Sequence, residues 1–322
     1  MKRLLTILLA TLAGMAPAQT YQPPQHTRPV PLVSRGGEAE LVQLADQGGA
    51  IEHDRPAGWL LAEHRRLAAA LTTLQPQRRG TTDAYVVVAA LDSDPVFGRE
   101  AREAANVLSR RYGAQGRTIV LAGTDGSADS KLPMGSPANL DMALGRVAEL
   151  MDPAEDVLVL YTTSHGARFG IVYNDADQGF GAISPTRLWS TLSQLGIRNR
   201  LILISACYAG VFVPALSSDS TAIITAASAD RTSFGCEADN DWTFFGDALV
   251  NHALRKPQPL AAAADEAVAT IGDWERDGRL EPSQPQVSIG AGAARWLAAL
   301  EARGPKTATT PVGRPANAVL QE

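Results

Sequence analysis

Cysteine is nearly absent from this chain: 322 residues carry two, Cys207 and Cys236. No H-E-x-x-H and no C-x-x-C occurs, which removes the common zinc signatures. No G-x-S-x-G occurs either, which removes the serine-hydrolase elbow. Positive charge is not in excess, with 29 Lys and Arg against 34 Asp and Glu and a net charge of −5. Nothing in that balance recruits a nucleic acid or an anionic membrane. Beyond the first residues no apolar run approaches the roughly 20 residues that a spanning helix needs. The scarcity of cysteine sharpens one question: "LILISACYAG", 201–210, spends one of the two at the end of an apolar run. An unpaired cysteine there is ordinarily a small core hydrophobe, and in an exported chain Cys207 and Cys236 form a natural disulfide pair.

Export is what the N-terminus predicts. Met1-Lys2-Arg3 is a basic start, Leu4 to Met15 an apolar run, and Ala16-Pro17-Ala18 an A-x-A cleavage site. Together they read as a secretory signal peptide, residues 1–18, cut after Ala18, with a periplasmic or secreted product. Residues 19–80 form an N-terminal extension. Its first part, to about residue 35, is rich in Pro, Gln and Thr without periodicity, whereas Trp59, Leu60, Leu67, Leu71 and Leu74 recur near helical spacing over 58–74.

A main domain spans 81–303. "AYVVVAAL" (84–91), "RTIVLAG" (117–123), "DVLVLYTT" (156–163), "LILIS" (201–205) and "TAIITAA" (221–227) have the length and branching of buried strands. Between them lie helical stretches with readable ends. Ser136-Pro137 and Ser184-Pro185 each put an N-cap serine before a proline suited to the first turn, and residues 98–112 close at Gly113. An Ala-rich helix follows at about 260–277 and a short strand at 285–290. Strand and helix alternate, which predicts an α/β fold with a mainly parallel sheet covered on both faces. "NDADQG" (174–179) resembles half a calcium loop without the closing acid, and reads as a surface turn. Residues 304–322 carry no pattern and read as a disordered tail.

In an open parallel sheet, reactive groups gather at the carboxyl ends of strands. Two strands here run into Ser164-His165-Gly166 and into Cys207, with one helical crossover between them. If these strands are neighbours, His165 and Cys207 face each other across one cleft, as a thiol–imidazole pair requires. Backbone N–H groups of Gly166 and Cys207 could then hold an oxyanion. His26, His53, His64 and His252 lie in polar or unpatterned surroundings and read as surface residues.

"YTTSHG" and "ISACYAG", followed by "TAIITAASADRTSFGC" and "DWTFFGDAL", resemble the legumain-like cysteine peptidases, peptidase family C13, in its bacterial branch. The resemblance covers about residues 84–290. It implies a caspase-like three-layer α/β/α sandwich, a peptide or protein substrate, and no metal or other cofactor. Matched by motif, His165 is the catalytic histidine, Cys207 the nucleophile and Gly166 an oxyanion donor. Cys236 takes a structural position, and the disulfide recedes because a bridged nucleophile cannot react. The substrate pocket would use Ser233, Asp247 and an arginine, Arg99 or else Arg102. Tyr208 stands where legumains carry an acid, and no asparagine is evident to orient His165. The function implied is an exported cysteine endopeptidase acting through a thioester. The alternatives are a non-catalytic peptide-binding module, or a transpeptidase or amidase on the same dyad.

Overall fold

The computed structural model describes residues 37–123 and 130–321; the expected signal peptide and the Pro-rich lead-in lie outside the described residues. Six strands make the main sheet, in the spatial order β10 (Gln286–Ile289), β9 (Thr221–Thr225), β8 (Arg200–Ser205), β4 (Val157–Thr163), β2 (Ala84–Ala90) and β3 (Thr118–Leu121). All neighbours are parallel except the β10 edge. β2, β4, β8 and β9 are buried along their whole length, which is why they read as continuous apolar runs and not as alternating ones.

The period of two divides those strands between two cores. Val86, Val88, Val159, Tyr161, Leu201 and Leu203 pack on one face, against α3 (Pro95–Tyr112), α7 (Leu260–Asp277) and α8 (Ala293–Arg303). Val87, Leu158, Leu160, Ile202 and Ile204 pack on the other, against α2 (Ala57–Thr72), α4 (Pro137–Leu150), α5 (Pro185–Gln194) and α6 (Phe212–Leu216). The result is the three-layer α/β/α sandwich around a mainly parallel sheet that the sequence predicts. Both serine caps are made, with Ser136 Oγ accepting from Asn139 N–H at 3.1 Å and Ser184 Oγ from Arg187 N–H at 3.0 Å. Gly113 ends α3 in the left-handed region, at φ 63°.

A second, smaller sheet is not foreseen in the sequence. It runs in the order β1 (Ala50–Glu52), β7 (Gly179–Ile183), β6 (Gly170–Asp175) and β5 (Gly166–Ala167), antiparallel throughout. β1 follows α1 (Glu38–Gln47), so the N-terminal extension supplies one of its edges. The "NDADQG" segment is the β6–β7 turn, with Ala176 and Asp177 at positive φ and Asp175 paired to Arg55.

The C-terminus departs from expectation. Trp242 Nε1 donates to Val312 O at 2.8 Å, and Ala316, fully buried, donates its N–H to Asp247 at 2.8 Å. Residues 304–321 are therefore bound to the main domain, and Ala316–Gln321 form a 3₁₀ turn. The segment carries no periodicity because individual backbone groups hold it, not an apolar face. Among the described residues no helix is long and apolar enough to cross a membrane.

Candidate functional site

Register brings the two marked strand ends together. β4 and β8 are adjacent, Thr163 lies opposite Ser205, and Ser164 N–H donates to Ser205 O at 3.1 Å. His165 and Cys207 each follow that pair by two residues, so they leave the sheet at the same level on strands about 5 Å apart. Gly166 packs directly on the Cys207 backbone. A Cβ at position 166 would stand 3.0 Å from Cys207 N and would collide with the Cys207 carbonyl oxygen. Glycine is therefore required there by contact.

The His165 ring is held from two sides. Its Nε2 lies 3.1 Å from Asp94 Oδ2, and its ring meets Phe97 edge-on at 5.0 Å between centroids. Val172 N–H donates to His165 O at 3.0 Å. In an antiparallel ladder successive residues turn alternate ways, so the Gly166 N–H faces away from β6. Burial alone would lower the His165 pKa. The bonds to Asp94 and Cys236, with the charges of Asp92 and Cys236, outweigh it and push the pKa up to about 11.

Asp94 was within reach of the strand-end rule, for Asp92-Ser93-Asp94 sits where β2 stops. Its place before Pro95 suggests a helix cap, yet as the N-cap residue of α3 it makes no side-chain cap. The carboxylate is turned to His165. Asp92, Asp94 and His165 each bring one ligand atom within 4.8 Å of the others, a set with the makeup of a cation site. The Asp94–His165 bond already engages two of the three.

Cys207 is half-buried and unpaired, as is Cys236. Ser233 N–H donates to Cys207 Sγ at 3.3 Å, and Ser233 Oγ lies 3.6 Å from it. Tyr208, next in the chain, takes φ 57° and donates its N–H to Arg231 O at 2.8 Å. The Arg168 guanidinium lies 5.8 Å from its ring centre, within cation–π range.

The three expected pocket residues part company. Ser233 is beside the thiol. Arg99 is occupied by the 238–241 loop, donating Nε to Asn240 O at 3.1 Å and pairing with Asp241 at 3.1 Å. Arg102, the second choice, points its guanidinium to Ala122 O at 3.5 Å. Asp247 is wholly buried in the π-helix Gly246–His252, and its carboxylate holds Asn251 Nδ2 at 2.7 Å and Ala316 N–H at 2.8 Å. A carboxylate enclosed on that side ties down the C-terminal segment. Its third neighbour is His252, at 3.4 Å, a histidine that the sequence reads as a plain surface residue.

Residues 134–265 match the model described as the Peptidase C13 family. No curated protein sequence matches the chain. Among solved structures, the chain is similar to the crystal structure of caspase-1 from Spodoptera frugiperda, with 14% identity over 67% of this chain and 88% of that one, at a TM-score of 0.43. It is also similar to the structure of pro-Sf-caspase-1, with 12% identity over 66% and 92% of the two chains, at a TM-score of 0.40. The family match spans both strand ends, His165 and Cys207 alike, so it is over this segment that the chain is similar to the Peptidase C13 family.

Proposed function

We propose that the protein is an exported cysteine endopeptidase in which Cys207 attacks the peptide carbonyl and His165 moves the protons. The observation that carries this reading is the Thr163–Ser205 register, with Gly166 seated on the Cys207 backbone. No other pairing of a thiol with a basic side chain at a shared strand edge is offered by the sequence, which has only two cysteines.

The raised pKa gives His165 its charge in the resting state, so it enters the reaction as a proton donor. The Cys207 thiolate adds to the carbonyl carbon, and the oxyanion is met by the N–H groups of Gly166 and Cys207. As the C–N bond breaks, the imidazolium gives its proton to the leaving amine and a thioester remains. Water then adds to the thioester while the imidazole takes its proton, and the thiolate leaves. Asp94 holds the ring in position through both halves. Ser233, beside the sulfur, is the residue of the expected pocket that stands where a substrate would meet it. The substrate is a peptide or protein, and residues 1–18 are the export signal.

The test uses the purified protein with a peptide library, and an active-site-directed thiol reagent, alongside Cys207→Ala. Cleavage lost in Cys207→Ala, and alkylation of Cys207 well ahead of Cys236, are the expected results. If wild type cleaves nothing and the two thiols react at the same rate, the peptidase reading is wrong.

A further inference from the structure

The residue after Arg99 is a buried acid that the peptidase reading leaves without a task. Glu100, fully buried on α3, accepts the Tyr161 O–H at 2.6 Å on one carboxylate oxygen and the Thr243 N–H at 2.7 Å on the other. Gly246 leaves room for this carboxylate, since a Cβ there would meet both of its oxygens. A buried carboxylate is costly unless donors meet it, and a satisfied buried network holds its members in one arrangement.

What Glu100 fixes is Thr243, and two routes lead from Thr243 to the Cys207 sulfur. The first runs through side chains to the strand that carries the cysteine. Thr243 Oγ1 lies 2.9 Å from Ser205 Oγ, both residues are buried, and Ser205 is the last residue of β8, two before Cys207. The second runs through the loop that touches the sulfur. Phe244 N–H donates to Phe234 O at 3.0 Å, and Ser233, the residue before Phe234, donates its N–H to Cys207 Sγ at 3.3 Å. Gly235 allows the two arms of that loop to approach so closely, for its φ is +86° and a Cβ there would stand 2.9 Å from Phe244 N.

We propose that Glu100 is a positioning residue for the nucleophile: its bond to Thr243 N–H holds both the end of β8 and the loop that meets Cys207 Sγ. The inference rests on the reading of Cys207 as the reactive thiol. One helix then serves both halves of the site. Asp94 and Phe97, at the start of α3, meet the imidazole, while Glu100, one turn further on, governs the support of the sulfur. Arg99 grips the outer part of the same loop at Asn240 O and Asp241.

The test compares Glu100→Ala, Glu100→Gln, Thr243→Val and Tyr161→Phe in the full chain. Each is alkylated with iodoacetamide and the rate at Cys207 followed by mass mapping, beside peptide-cleavage kinetics and thermal unfolding. Gln keeps a carbonyl oxygen for Thr243 N–H and Ala does not; Val removes the hydroxyl that reaches Ser205; Phe removes the other donor to Glu100 and leaves Thr243 held. Glu100→Ala and Thr243→Val should lower both the Cys207 alkylation rate and kcat by about tenfold, with KM little changed, as a small misplacement of a reacting group suffices to do. Glu100→Gln should restore both. Tyr161→Phe should melt earlier yet keep the wild-type rates, which separates positioning from stability. Should Glu100→Ala not fold, Thr243→Val decides. A wild-type alkylation rate in folded Glu100→Ala or Thr243→Val, or an equal loss in Tyr161→Phe, overturns the proposal. Alkylation needs no substrate, so if wild type cleaves nothing the endopeptidase reading falls while the alkylation rates still decide the role of Glu100.

Discussion

Asp94 directs its carboxylate at His165, 3.1 Å from Nε2, and leaves the start of its own helix uncapped. A residue in the N-cap position commonly gains about 1 kcal/mol by accepting a backbone N–H. Forgoing that bond leaves the acid free to orient a ring. Asp94→Ala is expected to lower kcat/KM by about 10²-fold, the scale of a misplaced acid–base group. Asp94→Asn, which keeps an acceptor, should recover part of it. A positioning role also requires the alkaline limb of the pH–rate profile to move down in Asp94→Ala, a shift that simple loss of stability does not produce.

The charge on His165 sets the pH behaviour. Its folded pKa, raised to about 11 by Asp94, Cys236 and Asp92 against the opposing effect of burial, lies above the unfolded value of about 6.5. The native state therefore holds the proton more tightly than the unfolded chain does. The resulting stabilisation is complete below about pH 6.5 and is lost as pH rises toward 11. In an NMR titration the His165 ring should show no midpoint between about pH 5 and pH 8, the range in which an ordinary histidine titrates. A midpoint near 6.5 in wild type would contradict the entry of His165 as a proton donor.

Gly166→Ala tests the seat of the nucleophile. The added methyl meets the Cys207 carbonyl oxygen and the Cys207 N, both backbone, so no side chain can turn aside. Overpacking of this kind costs about 1–3 kcal/mol, and here it also moves the sulfur relative to His165. Activity should fall much further than the change in melting temperature accounts for. Equal kcat/KM in Gly166→Ala and wild type would remove Gly166 from the site.

How far the sequence could carry these conclusions varies by residue. The sandwich was legible because β2, β4 and β8 are buried on both faces and spell uninterrupted apolar runs, and because Ser136 and Ser184 announce their helices. The meeting of the strand ends that carry His165 and Cys207 was legible through the strand-end rule, and motif order pointed to Ser233, which lies beside the Cys207 sulfur. Asp94 was hidden by its proline, which advertises a helix start and not a partner for histidine. The small sheet was missed because β5 has two residues and β1 three, too short to alternate. At Asp247 a glycine–acid pair matched a pocket pattern, and no local signal announced that its carboxylate bonds Asn251 and the C-terminal segment.

Asp247→Ala should accordingly act on stability and leave the preference for substrate residues unchanged. Removing the carboxylate takes an acceptor from the Asn251 amide, which keeps its bond to Val312 O, and strands the buried Ala316 N–H, at about 1–3 kcal/mol for an unsatisfied group. Ending the chain at Gly304 should destabilise it by the same route and also free Trp242 Nε1 from Val312. Thermal unfolding and a peptide screen run on both variants give the answer, and an altered preference in Asp247→Ala would return this residue to the pocket.

Tyr208 has one more consequence. Its left-handed backbone, φ 57°, stands immediately after the nucleophile and is pinned by its N–H bond to Arg231 O. Such a conformation costs a non-glycine residue about 1–3 kcal/mol, sustained by its surroundings. The direction of the sulfur is thus dictated by main chain on both sides, Gly166 before it in space and residue 208 after it in sequence. The tyrosine ring is a separable ornament on that frame, lying under Arg168. Exchanging the ring therefore alters the contact with Arg168 while the backbone that aims the thiol is kept.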